Sequence, residues 1–428
     1  MNRVAAKCVF AAVLVLASGR TARSQPLEIN TLAGQPAPGS SDGLVNLASF
    51  SQPLGVAADG AGNVYVADAG NGTIRKINSN GFTTTFAGAP GIFGSTNGTG
   101  PSARFYGPQG IALASSGDVF VADSANGTIR RITPAGVVST FAGAPGEINS
   151  FDGLATDARF SQPEALAVDG AGTVYVADAW NHTIRKITPA GVVSTLAGLA
   201  GNPGAADGTN SKARFNRPVG IALDSATNLF VTDSLNHVVR KITPAGTVST
   251  IAGMAGVWGS ADGTNNAARF FQPHGIVADG PGGFLVADSG NQTVRRISAA
   301  GTNWVVSTVA GEPGNPGNSD GTGGAARFRF PAGAARDSAG ALHVADLGNN
   351  SVRTTRTVSP VLQASFQANQ LVLTWPEYLT GFVLEKADSV APVSVWTAVT
   401  NGVAFSGSNH VLTNSAGGLS AFYRLHKQ

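Results

Sequence analysis

The sequence predicts an all-β fold: a six-bladed β-propeller closed by its N-terminal strand, followed by a small β-sandwich. Three observations predict it. A phrase built on Val-Ala-Asp recurs six times. Strand-length apolar runs alternate with Gly-, Asn- and Pro-rich turns, and 56 glycines accompany only 12% charged residues. The last strand of the repeat is also out of step with the others at the two ends of the array.

The repeat comes first. Its aspartates are Asp68, Asp123, Asp178, Asp233, Asp288 and Asp346, spaced by 55 residues four times and then by 58. The longer step absorbs extra residues around Thr302, Asn303 and Trp304. Each Asp is followed by an Asn and then by an apolar-Arg pair, as in Asn71 and Ile74-Arg75. One copy gives the internal order. Gly110–Leu113, Val119–Asp123, Thr128–Ile132 and Val137–Ala142 are strands. Ser115–Asp118, Ser124–Gly127 and Thr133–Gly136 are turns, the second with Asn and Gly suited to positive φ and the third with Pro preset. Four antiparallel strands make one blade. A polar, Gly-rich segment leads to the next.

The ends of the array supply the closure. Thr-x-Ala-Gly occurs six times, ending at Gly34, Gly88, Gly143, Gly198, Gly253 and Gly311. The first copy precedes any blade, and the sixth blade, Pro331 to Arg353, lacks its own. The strand from Ile29 to Gly34 is therefore expected to complete the last blade, removing an exposed sheet edge.

These residues resemble the NHL-repeat family of β-propellers. The resemblance runs from Ile29 to Arg356. It rests on the Pro-x-Gly-Ile-Ala, Val-Tyr-Val-Ala-Asp, Asn-x-x-Ile-Arg-Lys-Ile and Thr-x-Ala-Gly phrases. It implies the six-bladed ring. It leaves function open, because the family includes protein- and RNA-binding modules and related rings include lactonases and lyases that hold a metal in the channel.

The flanks differ. Residues 1–24 read as a secretory signal, with Arg3 and Lys7 before the apolar run Val9–Ala17, too short to span a bilayer. Secreted, periplasmic or cell-surface localisation is the expectation. That segment carries the only cysteine, Cys8, so no disulfide is expected in residues 25–356, the propeller, or 357–428. Removing its four basic residues takes Lys plus Arg from 28 to 24, against 25 Asp plus Glu, so the pI of 9.1 gives no reason to expect nucleic acid. Residues 357–428 alternate as strands, for example Leu371–Trp375 and Phe382–Glu385. They resemble the fibronectin- or immunoglobulin-like modules that end many bacterial secreted proteins. A monomer without a membrane span is expected.

Residues repeated in every blade are expected to serve the blade. The repeated Asp should cap its turn and pair with Arg75, Arg130, Arg185, Arg240, Arg295 or Arg353. The Asp-Gly aspartates (Asp42, Asp152, Asp207, Asp262 and Asp320) read as turn residues, with calcium as the alternative. The Asn-x-Thr triplets at Asn71, Asn126, Asn181 and Asn291 match glycosylation acceptors, although a hairpin explains them without sugar. His343 is expected to pack in the core.

Function is expected where the repeats differ. The channel-mouth positions just after each Pro are Leu54, Gln109, Glu164, Val219, His274 and Ala332. The hairpins should open on the same face, with Trp180 and His182 in blade three and Leu235 and His237 in blade four. Trp258 should overhang from a loop. Gln109, Glu164, Trp180, His182, His237 and His274 are thus the candidate ligand-binding residues. Glu164 with His182, His237 and His274 is also a zinc-like ligand set. No nucleophile elbow or phosphate-cradling loop occurs. The leading expectation is a protein without catalytic residues or a required cofactor. It would bind an extracytoplasmic protein, peptide or glycan through that face. The alternative is a metal-dependent lactonase, lyase or hydrolase.

Overall fold

A computed structural model describes residues 25–355 and, beyond them, 363–367, 370–376, 382–387, 395–399, 401, 403–406, 409–415 and 422–427. The expected signal at 1–24 lies outside the described residues. Residues 28–354 form six five-stranded antiparallel sheets of one plan. In sheet two, Pro108–Leu113 is innermost and pairs with Val119–Asp123. Thr128–Ile132 and Val137–Ala142 follow, and Gly98–Thr99 is outermost. The four expected strands are present. The fifth is a two-residue strand from the connecting segment, which read as loop.

Sheet six is completed from the other end of the chain. Its order is Gly321–Thr322, Glu28–Gly34, Ser351–Thr354, Leu342–Asp346, Pro331–Arg336. Thr31 opposes Arg353 and Gly34 opposes Ser351. The N-terminal strand takes the place that Val137–Ala142 holds in sheet two, as the offset of Thr-x-Ala-Gly requires.

Alternation puts apolar side chains between neighbouring sheets. Ala67, Ile74 and Ala87 of sheet one meet Val119, Val121 and Ile132 of sheet two around Phe105. The innermost strands approach backbone to backbone. A Cβ on Gly220 would stand 2.0 Å from the His274 carbonyl oxygen, and one on Gly333 would stand 2.4 Å from that of Leu54. Glycine holds this position in five of the six sheets, where a Cβ would meet the neighbouring backbone, and Ala165 holds it in sheet three. Beyond residue 355, two further antiparallel sheets share a small apolar cluster of Leu373, Leu384 and Leu412.

A buried ion pair organises each of the six sheets. Arg185 donates from Nη1 to Asp178 Oδ2 at 2.8 Å, with both side chains fully buried. The same Nη1 reaches the Arg159 carbonyl, while Nη2 reaches the Phe151 carbonyl and Asp152 Oδ1. Asn181 donates to Asp178 Oδ2, and the Ser161 N–H donates to Oδ1. The guanidinium lies 5.1 Å from the Phe160 ring centroid. Arg75, Arg130, Arg240, Arg295 and Arg353 repeat the arrangement. Burial pushes Asp178 up to about 6, against the pull of Arg185, Asn181 and the backbone donor.

This geometry gives two sets of repeated side chains a partner within their sheets. Asp42, Asp152, Asp207, Asp262 and Asp320 are half-exposed second acceptors for the buried Arg of their sheets, at 2.7–2.8 Å. Asn97 takes that role in sheet two. The amides of Asn71, Asn126, Asn181 and Asn291 each donate from Nδ2 to the repeated Asp and to a connecting-segment carbonyl. That nitrogen is the one a glycan would need, so the fold and glycosylation compete for it.

Substituting Asp178→Ala should leave Arg185 without its fully buried counter-charge, costing about 3–5 kcal/mol. Asp152→Ala removes a half-exposed partner and should cost about 1 kcal/mol or less. Chemical denaturation of both variants checks the ordering, and equal costs would contradict it.

Candidate functional site

The second residue of each innermost strand lies beside the end of the Val-Ala-Asp strand, because Pro163 opposes Asp178 and its counterparts do the same. The hairpin after that Asp therefore opens on the same face. Leu54, Gln109, Glu164, Val219 and His274 line a channel between the innermost strands. Ala332 is fully buried, and sheet six contributes Gly333 and Ala334 in its place. The cavity is about 50 Å³, room for about three to five waters.

Each hairpin ends in a residue with left-handed backbone: Gly72, Gly127, His182, His237, Gln292 and Asn350. The turn before it is a single turn of 3-10 helix, so only this position, and not the preceding Asn, takes positive φ. In four sheets its side chain crosses to the next sheet and accepts the N–H of the residue before the Pro. His182 Nδ1 accepts from Arg217 at 3.1 Å, and His237 Nδ1 from Gln272 at 3.2 Å. Gln292 Oε1 accepts from Phe330, and Asn350 Oδ1 from Gln52. The two histidines are inter-sheet clasps.

The zinc-like set therefore does not assemble. His182 and His237 each commit Nδ1 to a different inter-sheet seam, and Glu164 is engaged by an arginine. Among the described residues no group of three or more His, Cys, Asp or Glu side chains stands close enough to hold a metal ion. The residue types suited a metal, but their directions are set by the seams.

Glu164 is instead half of a pair that occurs once in the six sheets. Its carboxylate, 1% exposed, takes Arg217 Nε and Nη2 at 3.1 Å, both on Oε1. Oε2 is buried without a partner. Burial raises the Glu164 carboxyl above its ordinary range, and the Arg217 charge opposes that rise. His274 is lowered to about 4, by burial and then by the Arg217 charge, so it is neutral at pH 7. Gln109 Nε2 donates to Ser124 Oγ of its own hairpin. Trp180, 55% exposed, stands at the tip of the hairpin that His182 ends. Trp258 packs against Phe271 at 5.0 Å between centroids, and Phe271 meets His237 at 5.8 Å.

Arg217 was missed in the sequence. Its signal was there: the other residues before the innermost Pro are Gln52, Gly107, Gln162, Gln272 and Phe330, none of them charged. His343 is a fully buried core residue, with Nε2 at 3.1 Å from Asp337 Oδ2.

The clasps carry a pH signature. Burial lowers the His182 and His237 pKa below the ordinary 6.5, and a protonated Nδ1 cannot accept the clasp bond. A lowered folded-state pKa gives stability that is present above about 6.5 and lost as pH falls toward the folded value. Gln fills the same role at position 292, so the His182→Gln/His237→Gln double variant should match the parent at pH 8. It should exceed the parent increasingly as pH falls to 5.5, measured as the difference in Tm. Parallel curves would contradict the clasp assignment.

The family model of the teneurin NHL domain matches residues 146–359, half of the chain, and the NHL repeat model matches residues 50–77 and 105–132. Human NHL repeat-containing protein 2 is 27% identical over 303 residues, which cover 63% of this chain and 42% of that protein. Human teneurin-4 is 27% identical over 287 residues, 58% of this chain and 10% of that one. The chain thus spans less than half the length of these relatives. A Bacteroides thetaiotaomicron protein of unknown function superposes with a TM-score of 0.59 at 21% identity, covering 77% of this chain and 76% of that one. An auxiliary nutrient binding protein from the same organism gives 0.57 at 14%, with the same coverage. The matched repeats are those whose Asp, Asn and Arg build the buried clusters, and the chain belongs to the NHL-repeat family of β-propellers.

Proposed function

We propose that this chain is an exported recognition protein. Its six sheets would be the blades of one closed ring, and the hairpin face would bind an extracytoplasmic protein, peptide or glycan. The approach of Gly333 to Leu54 and the insertion of Glu28–Gly34 into sheet six support a closed ring. The two sheets beyond residue 355, joined through Leu373, Leu384 and Leu412, support a small accessory β-sandwich.

One observation carries the recognition reading. Five of the seven exposed aromatic side chains among the described residues sit on the hairpin face: Phe93, Tyr106, Trp180, Trp258 and Phe330. Exposed aromatics of this kind are the residues that dominate binding energies at recognition surfaces. The fold is also that of a neighbour described as a nutrient binding protein. Among the described residues Glu164, His182, His237 and His274 do not come together as a metal-ligand set, and that set was what motivated the enzymatic alternative.

The test is array binding by the labelled full chain on glycan and peptide surfaces. A Trp180→Ala/Trp258→Ala variant should lose about 2 kcal/mol, roughly 30-fold, of affinity for whatever the parent captures. Both side chains are exposed, so its Tm should hold. Unchanged capture by a folded variant would overturn the assignment of this face.

A further inference from the structure

We propose that Arg217 anchors a carboxylate-binding site at the channel mouth, with Glu164 as its positioning residue. The inference rests on the recognition reading and names the ligand chemistry of that face.

The pair breaks the repeat twice at one place. Glu164 is the only acid among the channel-mouth residues, and Arg217 is the only charged residue in the position before the innermost Pro. It also differs from the six Arg–Asp pairs. Each of those arginines is fully buried, and both of its terminal nitrogens are bonded. The Arg217 side chain is 40% exposed, and its Nε hydrogen bond and its Nη2 ion-pair contact both go to one oxygen of Glu164. Only the Nε–Nη2 edge is used, so the Nη1–Nη2 edge remains for a planar acceptor. That edge matches a carboxylate in a bidentate pair.

The backbone of Arg217 is fixed on two sides. Its N–H is clasped by His182, and its carbonyl accepts the Ser234 N–H of the next hairpin. Its φ of 55° is held by these contacts. A guanidinium anchored by a buried carboxylate and a clasped backbone is preorganised, so little side-chain freedom is lost on binding. Trp180 is exposed on the hairpin whose last residue, His182, clasps Arg217.

The carboxylate of a sugar acid and that of a peptide C-terminus present the same group. The experiment therefore titrates the full chain with sodium glucuronate against glucose, and with acetyl-trialanine against its amide, following tryptophan fluorescence and heat. At least one acid should bind about tenfold tighter than its neutral counterpart, and the pair that does so identifies the source. Arg217→Gln should abolish that preference. Glu164→Gln should weaken it by releasing the guanidinium, and Arg217→Lys should restore only part, since an ammonium lacks the fork. A pair that merely staples sheets three and four would lower Tm in these variants and leave the acid preference unchanged. Equal binding of acid and neutral probes, binding of neither acid, or an unchanged preference in folded Arg217→Gln would each overturn the site. Array capture that depends on Trp180 and Trp258 would then leave the recognition reading standing without it.

Discussion

A buried arginine–aspartate pair in every sheet is the constraint on which the rest of the structure depends. Two charges removed from water are tolerated only when their hydrogen-bonding groups are met. In sheet three the partners of Arg185 come from the connecting segment, from Asp152 beside the outermost strand and from the strand that ends in Asp178. Satisfying one guanidinium thus fixes where the chain enters the sheet, where it leaves, and how the hairpin is capped. The aromatic ring beneath it, Phe160, is fully buried for the same reason. A sheet that lost this residue would lose the tie between its inner strand and its outer edge.

Repetition separates construction from function. Side chains found in all six sheets are consumed internally: Asp, Asn and Arg by one another, and Phe by the guanidinium above it. Positions that vary are free to do something else, and variation takes two forms here. At the hairpin end, Gly, His, Gln and Asn alternate around the array, and the three polar types do one job, accepting an N–H from the next sheet. At the channel mouth, Glu164 and Arg217 do something no other pair of sheets does.

Much of this was legible in the sequence because a repeat supplies its own alignment. Six spaced aspartates, each with an arginine seven residues later, announced the pairing, and the misplaced Thr-x-Ala-Gly put Glu28–Gly34 beside Ser351–Thr354. The outermost strands were not legible, since two residues such as Gly98 and Thr99 carry no alternation. The channel mouth was legible as the place where the repeats differ, and the directions of its side chains were misread. His182 and His237 were grouped by residue type, but a left-handed hairpin end turns each ring toward the next sheet. Gln292 and Asn350 at the same position were the clue that the role was structural. Arg217 went unremarked because a single surface arginine carries no pattern until its neighbours in the repeat are aligned with it.

The most direct test of the account is a crystal structure of the protein grown with the carboxylate probe that binds in solution. The account predicts a carboxylate lying flat against the Nη1–Nη2 edge of Arg217 at the channel mouth, with Glu164 still holding the opposite edge and His182 still clasping the backbone. A probe seated elsewhere in a well-ordered structure, or an Arg217 side chain swung into solvent away from Glu164, would contradict it.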